Sequence, residues 1–202
     1  MNKIKPIYKI NSLQNKLLNS LNKLNAFNLE LEYTEDPEIM DVDTSIEEEV
    51  PVSKEVKELI EYIREQKITR NIKYVVIHCT ATQQTASVTS IINYWKNSLG
   101  WKSPGYHIIY KPKLGFTVLS DFNKPTNGVR GYNTKSIHLS YIGGVDKNNK
   151  PLDNRTNEQK SLIELTIKEL KKILPPDIEI KGHRDFPNVA KACPSFNVSK
   201  EF

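Results

Sequence analysis

Apolar and polar positions alternate along this chain in runs whose period changes from segment to segment. Between residues 10 and 31, Ile10, Leu13, Leu17, Leu21, Leu24 and Leu31 recur at spacings of three, four and seven, which is one face of a helix. The asparagines set among them are mediocre helix formers, so the reading is a modest amphipathic helix that docks on its own domain or on a partner. Further on, Ser53 is placed to cap a helix carrying Val56, Leu59, Ile60 and Ile63. Lys73 to His78 is a nearly continuous apolar run dense in β-branched residues. It reads as a buried strand with His78 at its C-terminal end.

Val88, Ile91, Ile92, Trp95 and Leu99 keep helical spacing, and Gly100 is placed to stop that helix. Gly105 to Lys111 and Phe116 to Leu119 flank a turn and predict a hairpin, in which the neighbours Tyr106 and His107 leave opposite faces of the sheet. Residues 121 to 136 are turn-rich and aperiodic, suited to a groove wall or to a plain connection. Ile137 to Ile142 is a further strand, stopped by Gly143 and Gly144. Thr156 and Gln159 form a capping box that opens a helix with Leu162, Ile163, Ile167, Leu170, Ile173 and Leu174 on its apolar face; Pro175 and Pro176 end it. Ile178 to Lys181 gives a last strand, leading into Gly182-His183. The expected fold is α/β, a central mixed β-sheet flanked by helices over residues 51 to 202, with an N-terminal helical and acidic extension over residues 1 to 50.

Charge sharpens that division. Residues 1 to 29 carry five lysines and no acids, residues 30 to 50 carry ten acids and no bases, and the remainder holds 24 bases against 14 acids. The acidic stretch reads as a solvated linker or as an electrostatic cover over the basic domain. The basic domain suits an anionic polymer, either nucleic acid or bacterial cell wall, and is equally compatible with ordinary solubility. No apolar run approaches a membrane span, and the basic N-terminus lacks the apolar region of a signal peptide, so the expectation is a protein made and folded in a cytoplasm. Two cysteines, Cys79 and Cys193, do not indicate a disulfide framework.

The candidate chemistry lies in His183 and Cys193, ten residues apart with Lys191 between them, and in His78. Imidazole and thiolate are the donors that zinc selects, and a catalytic site with three protein donors keeps a fourth position open. From spacing alone the set is weak: no compact metal motif is present, and a lone histidine at a strand end is more often a satisfied structural residue.

Several separated motifs add to this. Val76-Ile77-His78-Cys79-Thr80-Ala81-Thr82, Gly105-Tyr106-His107, Gly131-Tyr132-Asn133, Ile142-Gly143-Gly144-Val145-Asp146, Gly182-His183-Arg184 and Lys191-Ala192-Cys193-Pro194-Ser195-Phe196 occur in that order. Together they resemble the zinc-dependent N-acetylmuramoyl-L-alanine amidase family, which includes amidase-type phage lysozymes and peptidoglycan recognition proteins. The resemblance covers about residues 70 to 198.

It implies Zn2+ as cofactor, with His78, His183 and Cys193 as ligands, and Tyr106 and Lys191 as catalytic groups. Cys79 is then a buried thiol on the other strand face. One departure stands out. Many relatives carry a histidine and a small residue before the Gly-Tyr-Asn segment, where this chain has Gly128-Val129, so Arg130 or His138 is expected to line the substrate groove instead.

The implied function is hydrolysis of the amide between N-acetylmuramic acid and L-alanine in bacterial peptidoglycan. A phage endolysin fits, held in the host cytoplasm until lysis, requiring no nucleic acid and no membrane span. The rival readings are a recognition protein that binds cell wall without cutting it, a cysteine amidase with Cys193 as nucleophile and His183 as base, and a nucleic-acid-binding protein.

Overall fold

The computed structural model describes residues 53–113 and 115–202. The helix and acidic linker expected before residue 51 lie outside them.

Order begins with α1, Lys54–Arg64, whose Ser53 side chain accepts the Val56 N–H and whose Leu59 and Ile63 are buried. Five strands follow, interspersed with helices: β1 Tyr74–Cys79, β2 Ile108–Tyr110, β3 Phe116–Val118, β4 Ser136–Tyr141 and β5 Glu179–Gly182. They form one sheet in the order β3-β2-β4-β1-β5. β1 runs parallel to β4 and β5, β2 runs parallel to β4, and β3 closes the edge as the antiparallel arm of the expected hairpin. The sheet is therefore mixed, as the sequence pattern indicated.

Two helices cover one face of this sheet. α3, Asn157–Ile173, carries the Thr156–Gln159 capping box and packs with α1 over Val75, Ile77, Ile137, Leu139 and Tyr110. An ion pair from Arg64 to the buried Glu169, 2.8 Å long, ties the two helices together.

Because side chains alternate across a strand, Val76, His78, His138 and Ile109 point to the opposite face. That face is covered by α2, Val88–Asn93, and by the loops around Val129 and Phe186. β1 and β4 are thus buried on both sides, which explains the near-continuous apolar run of β1, whereas β4 buries Ser136, His138 and Ser140 on its second face.

The helix expected over residues 88 to 99 leaves the α form early, turning into a π-helix at Tyr94–Ser98 before Gly100 stops it at φ +65°. The extra residue in that turn takes Leu99 out of the apolar face, and its side chain is exposed. Trp95 stays buried, stacked on Trp101 with ring centroids 6.2 Å apart.

Candidate active site

In a parallel sheet the C-terminal strand ends open onto a common crevice. β1 and β5 are neighbours there, with Ile77 opposite Gly182, so His78 near the end of one strand and His183 just past the end of the other are brought side by side. Their rings lie 4.8 Å apart. The chain then loops back and presents Cys193, whose Sγ is 3.8 Å from His78 Nδ1 and accepts the Cys79 backbone N–H at 3.3 Å. The donor atoms of His78, His183 and Cys193 all fall within 4.8 Å of one another.

Contacts from distant parts of the chain hold the returning loop in place. Tyr141 donates its hydroxyl to the Pro194 carbonyl at 2.6 Å, Ser195 donates to the Gly144 carbonyl at 2.7 Å, and the Arg184 N–H donates to the Cys193 carbonyl at 2.9 Å. The Arg155 guanidinium lies 3.3 Å from the centroid of the Phe196 ring while pairing with Asp153 and Glu201. Gly144 passes so close to Cys79 that a Cβ there would stand 2.4 Å from its Sγ. None of these supports announces itself in the sequence, because each joins segments far apart along the chain.

The electrostatics suit a cation. Burial, reinforced by the neighbouring His138, holds the His78 imidazole well below its ordinary pKa, and burial with the Lys191 charge brings His183 down to about 4. Both rings are neutral at physiological pH, the form that can donate a lone pair to a metal. Contact with Cys79 and burial raise the Cys193 thiol above its usual range; a bound cation reverses that bias, since a coordinating thiol is deprotonated. Two neutral imidazoles and one thiol, gathered from both ends of the domain, form a donor set that could hold a metal ion.

Tyr106 lies beside this cluster, its ring 4.9 Å from His78, and its hydroxyl donates to the Cys79 carbonyl at 3.3 Å. Burial pushes that phenol far up, so it remains protonated at any physiological pH. Trp95 braces it edge-on at 5.2 Å. A Cβ on Gly105 would stand 2.9 Å from the Trp95 ring, so the residue before Tyr106 has to be bare. Lys191 is exposed at the mouth, near enough for its charge to act on both His78 and His183. Cys79 is buried and faces Ser195, as expected of a thiol on the other strand face.

The expectation for the groove divides. Arg130 is exposed on the loop, but His138 lines no groove: it is wholly buried in the middle of β4, behind His78. The size alternation along that strand marks which face His138 occupies and gives no sign that loops cover that face.

A family model described as N-acetylmuramoyl-L-alanine amidase matches residues 68–196, which contain every residue of the cluster. The chain belongs to that family. The amidase is 31% identical over 125 residues to the endolysin of Enterobacteria phage K11, a match that covers 61% of this chain and 81% of that one. It is 30% identical over 128 residues to the endolysin of Escherichia phage T7, covering 62% and 82%.

Among solved structures, bumblebee PGRP-SA superimposes with a TM-score of 0.53 at 22% identity, over 67% of this chain and 84% of that one. The Ph2119 endolysin of a Thermus scotoductus bacteriophage gives 0.51 at 22% identity, over 66% and 86%. At such identities the likeness is one of fold. The amidase is therefore a peptidoglycan amidase of the phage endolysin type, built on the sheet it shares with recognition proteins. Among the described residues no helix is long and apolar enough to cross a membrane.

Proposed function

We propose that this amidase depends on zinc, held by His78, His183 and Cys193, and that Tyr106 and Lys191 act on the scissile amide between N-acetylmuramic acid and L-alanine. The observation that carries the reading is the convergence of three donor atoms within 4.8 Å from strands and a loop distant in sequence. When bound there, zinc supplies Lewis acidity toward a carbonyl and activation of water.

The chain's own groups account for the rest. Tyr106, braced by Trp95 and permanently protonated, turns its one hydroxyl proton from the Cys79 carbonyl to the oxygen that gains charge as the carbonyl carbon becomes tetrahedral. The Lys191 ammonium stabilises the same charge from the open side. Overall, water adds across the C–N bond: the lactyl carbonyl keeps the hydroxyl and the L-alanine nitrogen leaves with the proton.

This catalytic unit spans residues 51 to 202, with residues 1 to 50 as an appendage, and it reaches peptidoglycan from the host cytoplasm at lysis. A thiolate donor beside two neutral imidazoles favours an enzyme over a recognition protein that only binds, because it is the open-site ligand set of a catalytic zinc.

The test is release of L-alanine amino termini from purified sacculi. Turnover is expected to vanish in Cys193→Ser and with a chelator, and to return to the chelated wild type on adding zinc. Activity that survives chelation but not Cys193→Ser identifies a thiol nucleophile and refutes the zinc reading.

A further inference from the structure

His138 occupies an unusual place for an imidazole. It sits at the centre of β4, wholly buried, and its Nδ1 lies 3.0 Å from Nε2 of His78. His78 turns its other nitrogen, Nδ1, toward Cys193. With Nδ1 as donor atom, the His78 proton sits on Nε2 and is given to His138 Nδ1, which leaves the His138 proton on its own Nε2. That atom has no hydrogen-bond partner among the described residues. An unpaired buried N–H is unfavourable and an apolar residue would remove it, so the imidazole is retained for its other edge.

The surroundings fix that edge. The His138 backbone N–H donates to Nδ1 of His107 at 2.9 Å, and the two rings stack at 5.9 Å with planes 22° apart. His107 in turn gives its Nε2 proton to the Lys124 carbonyl at 3.0 Å, so its Nδ1 is free to accept. On the opposite side the His138 ring meets Gly128: a Cβ there would lie 2.3 Å from Nδ1 and 2.4 Å from the adjoining ring carbon. The loop is thus bare at Gly128, and the imidazole of His138 on β4 fills the space.

We infer that His138 is a positioning residue for the metal site, holding His78 in the tautomer and orientation that aim Nδ1 at the ion, and that Gly128 is the partner position that makes room for it. The inference rests on His78 being a metal ligand. A hydrogen-bond acceptor on the distal nitrogen of a ligating histidine sets the ring's direction and raises its basicity, and losing one weakens metal binding by about 10- to 100-fold.

Zinc affinity, measured by competition with a chromophoric chelator, gives a readout independent of turnover. His138→Asn keeps an acceptor near the position of Nδ1, and His138→Leu matches it in size without one. We expect the Asn variant to bind zinc within about threefold of wild type and the Leu variant to bind it about 10- to 100-fold more weakly. Equal, wild-type affinity in both overturns the assignment.

Should the Leu variant fail to fold, nitrogen-15 NMR of zinc-loaded wild-type protein decides. A His78 Nε2 proton protected from exchange and coupled across the hydrogen bond to His138 Nδ1 is expected, and its absence rejects the inference. Wild-type protein that binds no zinc refutes the underlying metal reading instead, so the two failures are distinguishable.

Discussion

Arg155 offers a quantitative test of how the returning loop is held. Its side chain is 0% exposed, makes a fork to Asp153 with two contacts of 2.8 Å, and reaches Glu201 at 2.6 and 2.9 Å, with the Phe196 ring beneath it. Replacing Arg155 by Met keeps most of the volume and strands both carboxylates. Breaking a fully buried pair in this way costs about 3–5 kcal/mol.

Asp153 and Glu201 keep 29% and 39% of their side-chain surface exposed, so water recovers part of that cost. The lost cation–π contact adds about 0.5–1 kcal/mol. The net expectation is about 3 kcal/mol, or a fall in Tm of roughly 6–12 °C for a domain of this size. Thermal and urea unfolding of Arg155→Met at neutral pH measure it. Glu201→Gln, which leaves the Asp153 fork intact, should lose only about 1 kcal/mol. A Tm for Arg155→Met within about 2 °C of wild type would refute the argument that this cluster pins the Cys193 loop.

Other expectations follow from the same geometry. His107 is held at about 4 by burial and by the nearby Arg70 charge, against 6.5 for the ordinary side chain. The unfolded chain therefore takes up its proton first, so the contribution of His107 is complete above pH 6.5 and is lost as pH falls toward 4. It amounts to about 3 kcal/mol of a larger loss to which the lowered His78, His138 and His183 also contribute in metal-free protein, so urea titrations of wild type and His107→Gln isolate it by difference; equal pH dependence of the two between pH 6.5 and 4.5 contradicts it. Tyr141→Phe deletes the hydroxyl that caps the Pro194 carbonyl and should cost about 1–3 kcal/mol of unfolding free energy. Gly144→Ala combines a φ of +97° with a Cβ driven against Cys79, and a loss of about 2–4 kcal/mol in urea unfolding is expected; an unchanged midpoint would show that the segment relaxes freely.

Much of this fold is legible in the sequence because its signals are local. The apolar run ending at His78, the capping box of Thr156 and Gln159, and the strand leading into Gly182 each state their element within a few residues. The mixed sheet follows from their order. What local patterns do not state is which strand faces are covered and by what.

His138 illustrates this. Its position on β4 is readable, yet its burial depends on Gly128 and His107, which reach it from other segments. The π-turn after Asn93 is similarly silent, because a single inserted residue leaves the apolar spacing of Trp95 unchanged and displaces only Leu99. For the candidate site, individual donors are visible as residue types. Their convergence depends on β1 lying next to β5 and on the Arg155, Tyr141 and Ser195 contacts that return the loop.

The adjacency of β1 and β5 also has a consequence for synthesis. The first strand of the sheet lies beside the last, and the His78 and Cys193 donors are separated by 115 residues. Chains grow from the N-terminus, so a nascent molecule can assemble β1 through β4 and still lack two of its three donors. On the proposed ligand set, an unfinished or prematurely terminated product lacks a complete metal site. For a peptidoglycan amidase that works through those donors, the order of strands then ties destructive capacity to completion of the chain.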